Sequence, residues 1–191
     1  MTLVERAQSI ITKPKETWPV LAAEPQTVGS LYMSYILPLA AIGPIFGFVG
    51  TALISHGSPI AGALSAILRY VLELIGIFVV ALIAENLAPS FNGTKDRVQA
   101  LKLIAYAKTP AWVAGILMVI PGLGALIVGL AGLYGLYLLY LGVNPVMGIP
   151  ADKAIVYLIV LIVATIVVYI CVGAIVAAVL TAAVLSTGAM M

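Results

Sequence analysis

Residues 154–185 read AIVYLIVLIVATIVVYICVGAIVAAVLTAAVL, 32 positions without one Asp, Glu, Lys or Arg. A helix crosses a hydrocarbon core of about 30 Å with about 20 apolar residues. This run is longer than a bilayer demands, so it must tilt or protrude at one end. The rest of the chain agrees with it. Of 191 residues, 63% are hydrophobic and only 8% charged, where an ordinary soluble chain carries about 25% charged residues. The composition excludes a soluble globule and a disordered tail. A single cysteine, Cys171, excludes a disulfide scaffold, and nine basic against seven acidic residues exclude a nucleic-acid binder. The fold class is therefore all-α: an integral membrane protein.

Four further apolar windows lie upstream, bounded by charge, Pro or Gly. The first, residues 31–54, contains Pro38 and Pro44, which kink a helix but are tolerated where neighbours satisfy the freed carbonyls. The second is 60–84. The third, 101–120, is broken at Thr109-Pro110 and carries Lys102 and Lys108. The fourth, 123–141, is separated from it only by the turn dipeptide Pro121-Gly122. The expectation is a bundle of five transmembrane helices over residues 31–191, preceded by a segment of residues 1–30. The third window has two readings. It crosses fully, or it forms with the fourth a shallow hairpin re-entering from the cytoplasm.

Direction follows from the basic residues, since short loops rich in Lys and Arg stay in the cytoplasm. Arg6, Lys13 and Lys15 precede the first window; Lys95, Arg97, Lys102 and Lys108 stand between the second window and the middle of the third; Lys153 precedes the fifth. The opposite face, with Ser55 to Pro59, Pro121-Gly122 and the tail after Leu185, has no Lys or Arg. An odd number of crossings follows, with the N-terminus inside and the C-terminus outside. Residues 1–30 build no apolar core of signal-peptide length, so no cleaved leader is expected. Instead Leu3, Ala7 and Ile10 form one helical stripe beside Val4 and Ile11. That fits an amphipathic helix lying in the cytoplasmic interface, with Trp18 as a belt residue. The other reading is a short helix packed against the loops.

Chemistry-bearing residues are few. No metalloprotease, serine-hydrolase or phosphate-loop motif occurs, and one His and one Cys cannot build a soft-metal site. No cofactor and no catalytic residue is expected. His56 reads as a loop residue and Cys171 as a small apolar packing residue. Arg69 and Glu73 differ, because a charge inside an apolar span costs about 2.5–3.5 kcal/mol even on the lenient insertion scale. Four residues apart, they share a helix face about 6 Å apart along the axis. They form either a self-satisfied ion pair or a buried polar site. Glu85 lies about 18 Å farther along, near the cytoplasmic end. Tyr106, Tyr134, Tyr137 and Tyr140 also fall in the cytoplasmic half. They make either an aromatic girdle or, with Glu85, Lys102 and Lys108, a cytoplasm-facing pocket among the second, third and fourth helices.

Small residues mark helix contacts. These are Gly43 and Gly47 in the first helix, Gly129, Gly132 and Gly135 in the fourth, and Gly173, Ala174, Ala177, Ala178 and Ala182 in the fifth. The last set suits a homo-oligomer contact or intrachain packing equally. Asp152 and Thr94 are candidate N-caps, with Asp96 in the first turn after Thr94.

Several strings resemble a known family. Tyr35-Ile36-Leu37-Pro38-Leu39 after Trp18 and Glu24, and Leu87-Ala88-Pro89-Ser90-Phe91-Asn92-Gly93-Thr94, are similar to the YIP family, named for Ypt-interacting proteins. Tyr106-Ala107-Lys108-Thr109-Pro110, the run from Leu133 to Gly142, and Pro150-Ala151-Asp152-Lys153-Ala154 resemble its bacterial branch in order and spacing. Asn92 stands where that pattern has a second Gly. The resemblance implies five spans, a cytoplasmic N-terminus and, here, a bacterial inner membrane. Eukaryotic members are implied to act in vesicle traffic through small GTPases bound by an N-terminal extension, which the 30 residues before the first window are too short to hold. The expected role is a non-enzymatic adaptor or organiser that binds membrane lipids or partner membrane proteins. The alternatives are a solute or ion transporter using Arg69, Glu73 and Glu85, and an intramembrane enzyme.

Overall fold

The computed structural model describes residues 1–53, 59–120 and 122–188. Within them the chain is helical throughout, with no strand. Two short helices come first, α1 (Leu3–Thr12) and α2 (Pro14–Ala23). Thr2 and Glu5 cap α1 reciprocally: the Thr2 amide donates to Glu5 Oε2 at 2.8 Å and the Glu5 amide to Thr2 Oγ1 at 3.3 Å. That backbone hydrogen bond holds the Glu5 carboxyl below the usual range. Pro14, at the first position of α2, gives up an amide that has no helical partner there in any case.

The first long helix, α3, is assembled from Val28–Leu31, a π-helical turn Tyr32–Ile36, Leu37–Ala40 and Ile42–Leu53. Pro38 and Pro44 cannot donate to the preceding turn, and hydroxyls from outside contact the irregular stretch. Tyr70 donates to the Leu37 carbonyl at 3.1 Å, and Ala41 shares that acceptor. Then come α4 (Pro59–Leu87), α5 (Arg97–Ala114, continued by a 3-10 turn Gly115–Val119), α6 (Leu123–Met147) and α7 (Ala151–Gly188). Four of these are long and apolar enough to cross a membrane: α3, α4, α6 and α7. On α7, Ile155, Ile159, Val163, Ile166 and Ile170 are all exposed, an apolar surface that suits lipid.

The helix α5 is not among those four, and its surroundings explain why. Every residue from Ala100 to Ala107 is buried, as are Thr109, Pro110 and Trp112. It packs on α6 most extensively, on α4 next, and on α1, α2 and α3 besides. Its shield is protein rather than lipid, so it tolerates two lysines and a weak hydropathy.

Several expectations are corrected here. Trp18 is no belt residue: it is 1% exposed, with its ring edge-on to Tyr106 and against Gly142. The stripe of α1 spends Ala7 and Ile10 on α5 and α2, while Val4 faces outward. Cys171 is exposed rather than packed, and so are Gly173, Ala174, Ala177, Ala178 and Ala182. The cap of α5 is Asp96, accepting from the Gln99 amide at 2.9 Å, while Thr94 bonds the Met147 carbonyl. Asp152 lies in the first turn of α7, whose amides at Lys153 and Ala154 reach Pro150. His56 and Pro121 lie outside the described residues. Asn92 is left-handed at φ 61° and ends the turn Ala88–Phe91. Asn tolerates that region better than most residues, which accounts for it where the resemblance has Gly.

The small residues of α6 divide sharply. A Cβ on Gly135 would stand 2.6 Å from the Ala107 carbonyl oxygen, a backbone atom of α5, whereas one on Gly129 or Gly132 would meet nothing within 4 Å. Overpacking typically costs about 1–3 kcal/mol. Gly135→Ala is expected to lower the thermal midpoint of the purified chain in detergent, with Gly129→Ala unchanged. Equal midpoints would show that α5 and α6 do not meet there.

Candidate functional site

Three helices converge on the Glu73 side chain of α4. Lys108 of α5 pairs with Oε1 at 2.6 Å. The Trp112 indole N–H, one turn farther along α5, donates to the same oxygen at 3.2 Å. The Tyr169 hydroxyl of α7 donates to Oε2 at 2.9 Å. Lys108 also donates to the Tyr169 oxygen and stands 4.3 Å from its ring centroid. Helical geometry makes this possible, since Lys108 and Trp112 are one turn apart on one face of α5. Both carboxylate oxygens are engaged and the pair is neutral.

The expected Arg69–Glu73 pair does not form. Side chains on a helix lean towards its N-terminus, so Arg69 leans away from Glu73, and a base preceding an acid by four is the weaker order. Arg69 is exposed and has no hydrogen bond or ion pair to any described residue.

Above the Glu73 pair lies a cavity of about 580 Å³ walled by α3, α4, α5 and α7. Gly43, Gly47 and Thr51 line it from α3, Ser65 and Arg69 from α4, and Gly173 from α7. Thr51, Arg69 and Gly173 are exposed, so it opens outward. The lining comes from the second halves of α3, α5 and α7 and from the first half of α4.

The expected cytoplasm-facing pocket is not what the tyrosines build. Tyr106 is fully buried and accepts from Arg6 Nη1 at 3.1 Å, and Arg6 also pairs with Glu24. Partial burial opposes the Arg6 charge, but the Tyr106 and Glu24 oxygens outweigh it and hold its pKa above the ordinary value. Tyr134 donates to the Ile11 carbonyl at 2.7 Å, at the end of α1. Tyr137 and Tyr140 are each 43% exposed, as in a girdle. Glu85 pairs with Arg97 at 3.0 Å, separate from the tyrosines. Lys102 is consumed by structure: its ammonium donates to the carbonyls of Leu21 at 2.8 Å, Ala22 at 3.2 Å and Glu24 at 2.6 Å. Those are the orphan acceptors at the end of α2, where a cation also suits the helix dipole.

Thus Glu73 and Lys108 meet, Arg69 lies beside them across the cavity wall, and Glu85, Tyr106, Tyr134, Tyr137 and Tyr140 belong elsewhere. Trp112 and Tyr169 were missed. Tyr169 carried a signal, a hydroxyl inside the most apolar stretch of the chain, where it requires a partner.

Long apolar helices around a neutralised ion pair define a multi-pass helical membrane protein. The chain belongs to the Yip1 domain family, whose model matches residues 8–173. This is not known as an enzyme family. Comparison with curated proteins and with solved structures found no match.

Proposed function

We propose that this chain is a non-enzymatic adaptor or organiser of the bacterial branch of its family, holding lipid or partner membrane proteins within the inner membrane. It crosses five times, with its N-terminus in the cytoplasm. The observation that carries this reading is the cavity between α3, α4, α5 and α7, exposed at Thr51, Arg69 and Gly173. Its polar base is already neutralised, which suits holding a guest more than transforming one. Length supports the fifth crossing: 18 α-helical residues at about 1.5 Å each and 5 in the 3-10 turn at about 2.0 Å make about 37 Å. That exceeds the hydrocarbon core of about 30 Å. α1 and α2 cover the cytoplasmic end, and the exposed small face of α7 offers room for a second copy.

A photo-crosslinking residue at Thr51, at the cavity mouth, is expected to capture lipid or a membrane protein in native membranes. Capture of neither would remove the reading. A transporter is the second reading, favoured by an ionisable pair beside a cavity. Solute flux in reconstituted vesicles, lost in Glu73→Gln, would establish it instead.

A further inference from the structure

Arg69 stands in an apolar span with its charge unanswered by any described residue, while Lys102 and Lys108 are both fully engaged. It begins about 15 Å from the Pro59 end of α4, and its side chain leans towards that end, the direction in which a long cation reaches for the nearer interface. Burying that charge against lipid tails is expensive. No described residue supplies the compensating anion, which leaves the site open to one from outside.

The charges around the cavity sum to one positive: Arg69 and Lys108 against Glu73. One monoanion completes it. A guanidinium is a rigid fork matched to phosphate oxygens. Thr51 and Ser65 both donate their hydroxyl hydrogens to their own helices, to Gly47 at 2.9 Å and Gly62 at 2.8 Å. They retain lone pairs and can only accept. The Glu73 charge is already matched by Lys108, so no unpaired carboxylate is left for a headgroup amine. The volume, about 580 Å³, lies within the range of about 300–1,000 Å³ typical of ligand sites.

We infer that this cavity binds the headgroup of a monoanionic glycerophospholipid, its phosphodiester on Arg69 and its headgroup hydroxyls on Thr51 and Ser65. The inference rests on the adaptor reading and names one guest for it. The acyl chains lie along the exposed apolar residues of the same helices, Ile45, Ile67 and Ile170 among them. A lipid rather than free phosphate is the source, because exposed apolar residues on the same helices offer acyl chains a surface.

The test is native mass spectrometry of the full chain in neutral maltoside, titrated with phosphatidylglycerol, phosphatidylcholine and soluble glycerol phosphate. Phosphatidylglycerol is expected to bind about tenfold tighter than phosphatidylcholine: both offer a phosphodiester to Arg69, but the choline cation cancels the charge that the cavity requires. Arg69→Gln should abolish that difference, Arg69→Lys should keep part of it, and glycerol phosphate should not compete. Arg69 makes no hydrogen bond or ion pair to a described residue, so Arg69→Gln should melt as the parent does without lipid. Gly43→Leu is the independent variant: a Cβ there meets nothing within 4 Å, and the larger side chain fills the cavity. It should also lose the preference. Undiminished preference in both variants, or displacement by glycerol phosphate, overturns the site. Capture of a guest at Thr51 would then still uphold the adaptor reading, and its absence would end that too.

Discussion

Glu73→Gln is expected to destabilise the chain by about 3 kcal/mol, the low end of the cost of removing one partner from a buried ion pair, because this pair is only partly buried. Glutamine is nearly isosteric: its one carbonyl oxygen can still accept from Trp112 while its amide donates to the Tyr169 oxygen instead, so a loss of hydrogen bonding alone would cost little. Such bonds within membrane proteins average about 0.6 kcal/mol. The larger figure arises because Lys108, only 25% exposed, keeps its charge without a counterion. Glu73→Gln combined with Lys108→Met should recover most of the loss, since a buried pair can often be replaced whole at little cost. Unfolding in mixed micelles, run as a double-mutant cycle, measures both. A single variant as stable as the parent would show that the pair holds nothing together.

Trp18→Ala is expected to cost about 3–5 kcal/mol, as for other fully buried large aromatics. The indole fills the space between Tyr106 and Gly142: a Cβ on Gly142 would stand 2.8 Å from its ring. The indole N–H has no partner among the described residues, so packing alone holds the ring. Trp18→Phe should therefore keep much of the stability. The two changes should also differ locally. Losing the plug releases α1 and α2 from α5, and with them the Lys102 and Arg6 contacts, so amides of residues 3–23 should exchange faster in Trp18→Ala. Unchanged exchange would mean that α1 and α2 are docked by something else.

The parts of this fold that face lipid were legible in the sequence, and the parts that face protein were not. α7 needed no partner to be recognised, because hydrocarbon on most sides demands apolar residues on most sides. α5 is central and encased, so its hydropathy carries no such demand, and only Pro121-Gly122 and the charge count pointed to a crossing. Charges inside an apolar window stand out as groups that need a partner, but one-dimensional spacing pairs Glu73 with Arg69. The partner that wins comes from another helix, at a distance no periodicity encodes. Trp18 was misread for a similar reason: an aromatic near a boundary serves a belt or a core equally until its neighbours are known. The tyrosines show the same division, with Tyr106 buried and Tyr137 and Tyr140 outward.

The central claim is that α5, carrying two lysines, crosses the bilayer wrapped in the other helices. Single cysteines at Lys95 and at Leu123, one before and one after α5, placed in a Cys171→Ser chain, test it most directly. With a membrane-impermeant maleimide on intact cells, the account predicts labelling at position 123 and none at position 95 until the membrane is opened. Both positions reacting from the same side would contradict it.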